Sequence, residues 1–154
     1  MSDITRETAT IVGEWLFYLD DQLVKRERNL IVQAGLIFLT TIVIRDGGQT
    51  NDIPFYCALG SGTTAPMAND VKLENETFRK FLSAKTRQAN LARLRTFFLA
   101  SEANSTHTEF GIFLAGTSAK DSGTLLNRIV LTGGVIKTSQ QVLTVECRLI
   151  FAAG

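Results

Sequence analysis

At 154 residues the chain is long enough for one domain with a real core and short for two. Sixteen Lys and Arg against fifteen Asp and Glu leave a formal net charge of +1, too balanced for a protein whose main work is gripping nucleic acid phosphates. One His and two Cys exclude a His-rich metal centre and supply a Cys/His zinc site poorly, so no metal and no cofactor are expected.

Residues 1–11 are polar without a strong period and read as an arm ahead of a single domain over 12–154. The opening Met-Ser-Asp-Ile-Thr-Arg-Glu lacks a basic region followed by an apolar run, so no secretory signal is expected and the chain should start in the cytoplasm of the cell that makes it. From Val12, Gly-Glu-Trp-Leu-Phe-Tyr-Leu, then Asp20-Asp21-Gln22, then Leu-Val-Lys-Arg-Glu-Arg read as a β-hairpin, although no Asn-Gly or Asp-Gly marks its turn. Asn29 precedes a long apolar run closed by Arg45-Asp46-Gly47-Gly48, the pattern of an N-cap, a helix and a glycine stop. A buried strand from about Leu39 is the alternative. Fifteen residues separate Asn29 from Arg45, including Gln33 and two Thr, against the roughly 20 that a bilayer requires. A core helix lying on a sheet is therefore expected, and no membrane span.

Ile53 to Leu59 reads as a short strand and Gly60-Ser61-Gly62-Thr63-Thr64-Ala65-Pro66 as a loop. Asp70 to Gln88 mixes charge with Leu73, Phe78 and Leu82 and fits either a strand with one exposed face or a helical turn. Ala92 to Ala100, Glu109 to Ala115 and Leu125 to Leu131 read as strands whose separators are rich in Ser, Thr, Asn and Gly. The clearest pattern comes last. In Val142 to Phe151, the residues Leu143, Val145, Cys147, Leu149 and Phe151 fall on one side of an extended chain and Thr144, Glu146 and Arg148 on the other, as in a half-buried strand near the centre of an antiparallel sheet. The expected class is mainly β: an antiparallel β-sandwich with one apolar helix near the N-terminus packed against a sheet.

Candidate chemistry is thin. Cys57 and Cys147 lie in apolar runs and read as buried free thiols, with a bridge between them as the alternative. Gly60-Ser61-Gly62 lacks the Gly-Lys-Ser/Thr of a phosphate loop, and its glycines are expected to let the backbone turn with φ > 0. His107, near Glu102 and Glu109, comes with no Gly-x-Ser-x-Gly elbow and reads as an exposed loop histidine. Glu74, Glu76, Glu102 and Glu109 are carboxylates enough for a glycosidase pair, but a single Trp and no aromatic-rich cleft argue against that use. No catalytic residue is assigned. The basic groups Lys25-Arg26-x-Arg28 and Arg79-Lys80, Lys85, Arg87, Arg93, Arg95 would sit on exposed strand faces, for solvation or for pairing in another subunit. Arg79, Lys80, Arg93 and Arg95 are the candidate interface residues. Trp15, Phe17 and Tyr18 would form the platform of a host-glycan-binding module.

The segments Asn29-Leu30-Ile31-Val32-Gln33-Ala34-Gly35-Leu36 and Leu59-Gly60-Ser61-Gly62-Thr63-Thr64-Ala65-Pro66 resemble the opening of small structural proteins of tailed bacteriophages, the tail, fibre or baseplate components. The resemblance continues through Ala100-Ser101-Glu102-Ala103-Asn104, Glu109-Phe110-Gly111-Ile112-Phe113, Leu125-Leu126-Asn127-Arg128-Ile129-Val130, Ile136-Lys137-Thr138 and Leu143-Thr144-Val145. It implies a virion component that works by assembly without catalysis, with other virion proteins as partners and a homo-oligomer, such as a trimer, as its form. No fibre shaft, collagen-like repeat or heptad array is present, so a compact module of the tail, baseplate or fibre attachment region is expected. Capsid decoration is the alternative in the same class, and a glycan-binding module the alternative outside it.

Overall fold

The computed structural model describes residues 8–44 and 53–153. In chain order the elements are β1 (Ala9–Leu19), β2 (Gln22–Ile31), α1 (Gln33–Ile44), β3 (Phe55–Gly60), β4 (Glu76–Phe81), β5 (Ala84–Gln88), β6 (Leu91–Phe98), β7 (Ser105–Leu114), β8 (Thr124–Lys137) and β9 (Leu143–Ala153). All pairing is antiparallel, in the order β4-β3-β7-β8-β2-β1-β9-β6-β5. The chain is thus mainly β with one short helix. In place of two separate sheets there is one curled sheet, a half-barrel, whose halves meet where Leu30 and Ile31 of β2 pair with Arg128 and Asn127 of β8. The corner Leu82-Ser83 shows how far it curls: Leu82 N donates to Phe55 O on β3 and Ser83 N to Arg95 O on β6, which lie near opposite ends of the strand order.

Curling turns one face of both halves inward. Trp15 and Phe17 of β1, Leu94 and Phe98 of β6, and Leu143, Val145, Cys147 and Leu149 of β9 meet Cys57, Leu59, Phe110, Ile112, Leu114, Leu126 and Ile129 from the other half in a single core. Period-two alternation delivers these residues to the inside. Phe151 departs from the expected row and is 42% exposed, because β9 runs on past the core. Trp15 and Phe17 stack near parallel, with centroids 6.0 Å apart, and Phe17 tilts against Phe110 at 4.5 Å.

The first hairpin turns on Asp20 and Asp21 alone, at φ 46° and 64°. Both lie in the left-handed region that a primed two-residue turn demands and that Asp tolerates better than most residues. Asp20 also ties this turn to the β8–β9 connection: its N–H donates to Val142 O at 3.0 Å and its Oδ1 accepts from Val142 N.

The helix boundary corrects one expectation. Asn29 does not cap α1; it sits in β2 opposite Gly13, because Leu30 and Ile31 stay extended to pair with β8. The helix starts at Gln33, whose N–H is taken by Ala68 O at 2.8 Å. Gly35 faces the Leu126 backbone so closely that a Cβ there would collide, and this fixes α1 against β8. Among the described residues no helix is long and apolar enough to cross a membrane. Of the expected arm, Ala9 to Ile11 belong to β1, paired with Phe151 to Ala153, while residues 1–7 and the expected stop at 45–48 lie outside the described residues.

Candidate functional site

The two outer faces of the curled sheet are covered differently. Over β8-β7-β3-β4 the chain supplies its own roof. The loop 61–75 lays Leu73 on Ala58, Phe113 and Leu125, together with Val32, to make a second small core on the outside of the sheet. Under that loop lies Glu109, fully buried. Its Oε1 accepts from Gly62 N at 2.9 Å and Asn75 N at 2.7 Å, and its Oε2 from Glu74 N at 3.0 Å and Arg128 Nε at 3.0 Å. Arg128, equally buried, donates through Nη1 to Asp70 Oδ2 at 3.0 Å. Its Nη2 lies 2.9 Å from Glu109 Oε2 but off the line of a hydrogen bond, so that contact is ionic only. A carboxylate with this many donors satisfies the loop's amides and the guanidinium together, which a buried charge requires.

Neither Gly60 nor Gly62 has positive φ, contrary to expectation. They are small because Glu109 comes close: a Cβ on Gly62 would lie 2.6 Å from Oε1. The loop therefore encloses a protein carboxylate and not a phosphate.

Two further anchors repeat the device. Buried Glu76 accepts from Arg79 Nε at 2.6 Å and from Asp121 N at 2.6 Å, while Arg79 Nη1 donates to Thr117 O and Ser122 O, fastening the 117–122 loop. The guanidinium also lies 4.5 Å from the Phe113 ring centroid. Lys80 Nζ donates to Glu102 Oε2 at 2.6 Å and Lys137 Nζ to Asn104 Oδ1 at 2.8 Å, which holds 99–104. Through Lys80 and the Leu99 amide, Glu102 keeps its carboxyl below the usual range.

Over β5-β6-β9-β1-β2 no loop lies among the described residues. Side chains cover this face instead. Glu146 of β9, 1% exposed, accepts from Arg95 Nε at 2.8 Å and from Arg148 Nε. Glu14 of β1 accepts from Arg26 Nε at 2.7 Å, with Arg148 Nη1 3.8 Å away. The side chains of Arg26 and Arg95 are 59% and 45% exposed, and that of Arg148 24%.

The sequence-predicted site residues divide accordingly. Arg79 and Lys80 are engaged inside the molecule as anchors, Arg79 almost wholly buried, so neither presents a free cation. Arg93 and Arg95 do stand on the outer face of β6. Trp15 and Phe17 are 0% exposed and Tyr18 points to the opposite face, so the three rings form no glycan platform. The alternation Trp15-x-Phe17 already carried that signal. His107 is no loop histidine: it lies in β7, 2% exposed, with Nε2 2.7 Å from Ala103 O and its ring edge-on to Phe110. Burial, reinforced by the Lys137 charge, holds it below its ordinary value. Cys57 and Cys147 are buried and unbridged; burial raises both, Cys147 to about 12, which leaves no reactive thiolate. Arg128, Arg148 and Glu14 were not singled out from sequence. For Arg128 the available signal was a charge inside the apolar run Leu-Leu-Asn-Arg-Ile-Val.

Among the described residues no group of three or more His, Cys, Asp or Glu is arranged to hold a metal. A hollow of 470 Å³ lies over Asp70, Leu73, Glu74 and Arg128, and two apolar hollows of 700 and 320 Å³ flank α1 near Leu39, Leu149 and Phe151. Comparison of the chain with family models, with curated proteins and with solved structures returned no match.

Proposed function

We propose that this protein is a structural component of a tailed-bacteriophage virion, a small oligomeric module of the tail, baseplate or fibre attachment region that acts by protein-protein assembly. One observation carries the reading. The segments that resemble such proteins, Leu59–Pro66, Glu109–Phe113 and Leu125–Val130, are far apart in sequence and meet at the Glu109–Arg128 anchor. Gly62, Glu109 and Arg128 each contribute atoms to it, so what the resemblance marks is the fastening of a loop to a sheet. The same anchors occupy Glu76, Glu102 and Glu109 with internal cations, which favours a scaffold over a hydrolase.

In this reading the purified chain is a homo-oligomer, with each contact burying at least about 1,000 Å². The test is location on the particle. Gold-labelled antibody against the chain should mark the tail, baseplate or fibre attachment region of intact virions. Label on the shell would replace that placement with capsid decoration, and a chain absent from purified particles would overturn the proposal.

A further inference from the structure

We propose that the outer face of β6-β9-β1-β2 is a docking surface for an acidic protein partner, gripped first by Arg28 and Arg93, the two arginines of that face to which the described chain offers no carboxylate. The inference rests on the assembly reading above and adds the chemistry of the partner.

Cross-strand register arranges this face in rows. Arg93, Arg148, Glu14 and Arg28 lie side by side on β6, β9, β1 and β2, and Arg95, Glu146, Leu16 and Arg26 form the neighbouring row. Five guanidinium groups meet two carboxylates there, a local charge of +3 in a chain whose whole formal charge is +1. The two carboxylates are taken: Glu146 by Arg95 and Arg148, Glu14 by Arg26 with Arg148 close by. Nothing among the described residues is left for Arg28 and Arg93. Arg93 Nε is closed off from water and has no acceptor, so the terminal Nη groups of its fork are the ones that would meet a partner's oxygen.

What surrounds the arginines selects the occupant. Phe97 (39% exposed) and Leu23 (51%) border one side of the charged rows, and Leu30 (38%) the other. Nucleic acid has no use for this apolar rim, and it would lay phosphates over Glu14 and Glu146 in the middle of the face. A protein surface meets both demands. Carboxylates matching Arg93 on β6 and Arg28 on β2 would stand about 14 Å apart, three strand spacings, with apolar side chains over the rim. Arginine suits this task because its planar fork takes a carboxylate two-pronged and tolerates desolvation better than an ammonium.

The test is an amide-shift titration of the full chain, labelled with nitrogen-15, with a short polyglutamate peptide and, separately, a DNA duplex. The proposal expects saturable shifts confined to β1, β2, β6 and β9, and peptide binding tighter than duplex binding. It also expects about a tenfold loss of peptide affinity in Arg28→Ala/Arg93→Ala. Lys120→Ala, which removes one charge from the 117–122 loop, should leave the titration unchanged. Shifts centred elsewhere, an equal loss in Lys120→Ala, or preference for the duplex would overturn it. Unchanged shifts at other strands in the double variant establish that its loss is not misfolding. A chain found on the virion that ignores the peptide keeps the assembly reading and removes the docking surface, so the two failures are distinct.

Discussion

Glu109 and Glu146 make a natural pair for comparison: each is a carboxylate on the outside of the same sheet, each is shut from water, and each is paired with arginine. What differs is the lid. Glu109 lies beneath a loop with Arg128, whose side chain is 3% exposed, whereas Glu146 lies beneath Arg95 and Arg148, whose side chains are 45% and 24% exposed. The cause is the lengths of the connections. The β1–β2 and β5–β6 turns spend two residues each and leave no chain to cover the first half of the sheet, while 61–75 and 115–123 fold back over the second. The same residue types therefore fasten the molecule on one side and dress it for contact on the other.

The contrast can be broken most directly at Glu109. Glu109→Ala removes the acceptor of three backbone amides and leaves buried Arg128 with only Asp70 and the more distant Glu74, so about 3 to 5 kcal/mol of stability should be lost in urea denaturation. A loss under about 1 kcal/mol would mean that the loop is not held as described. Leu149→Ala, on the inner face shared by both halves, should cost about 2 to 5 kcal/mol, and a value below about half a kcal/mol would place β9 at an edge. Glu146→Ala is expected to cost only about 1 to 2 kcal/mol, since Arg95 and Arg148 can turn to water; equality with Glu109→Ala would erase the distinction between the faces.

Acid supplies a gentler probe. Burial lowers the His107 pKa, so the folded chain favours the neutral ring while the unfolded chain takes up a proton near the ordinary value of 6.5. Stability from this residue is whole above that pH and is lost as pH falls through the folded value. Urea midpoints measured at and below pH 6.5 should fall more steeply for the parent than for His107→Gln. The smallest effect should come from Arg28→Ala, within about 0.5 kcal/mol of the parent by thermal melting, because a contact residue awaiting its partner contributes little to the free chain.

Much of this architecture could be read from residue order, and what escaped did so for definite reasons. Leu143, Val145, Cys147 and Leu149 alternate as a buried row and are one. Glu146 was expected on the open side, yet its burial depends on Arg95 and on Arg148, and the first comes from a strand 51 positions away. The Asn29 signal was locally sound for a helix start but lost to pairing with β8, whose Asn127 and Arg128 lie about a hundred residues on. Arg128 interrupts an apolar run, which marks it as engaged without naming the partner, whereas Glu109 follows polar Ser105 to Thr108 and carries no such mark. The 116–123 connection was legible as a loop, but of 61–75 only the part up to Pro66 was, since Leu73 among charged residues reads equally as strand; which face either would cover depends on the direction in which the whole sheet curls.

The strand order also bears on how the chain is made. The β1–β2, β3–β4 and β5–β6 pairs all emerge from the ribosome before β7, β8 and β9, yet only those last three join them: β7 to β3, β8 to β2, and β9 to both β1 and β6. Three ribbons with unpaired margins must therefore wait, the first of them from Ile31 until β8 begins at Thr124, the condition under which nascent β proteins lean on chaperones and assemble only late.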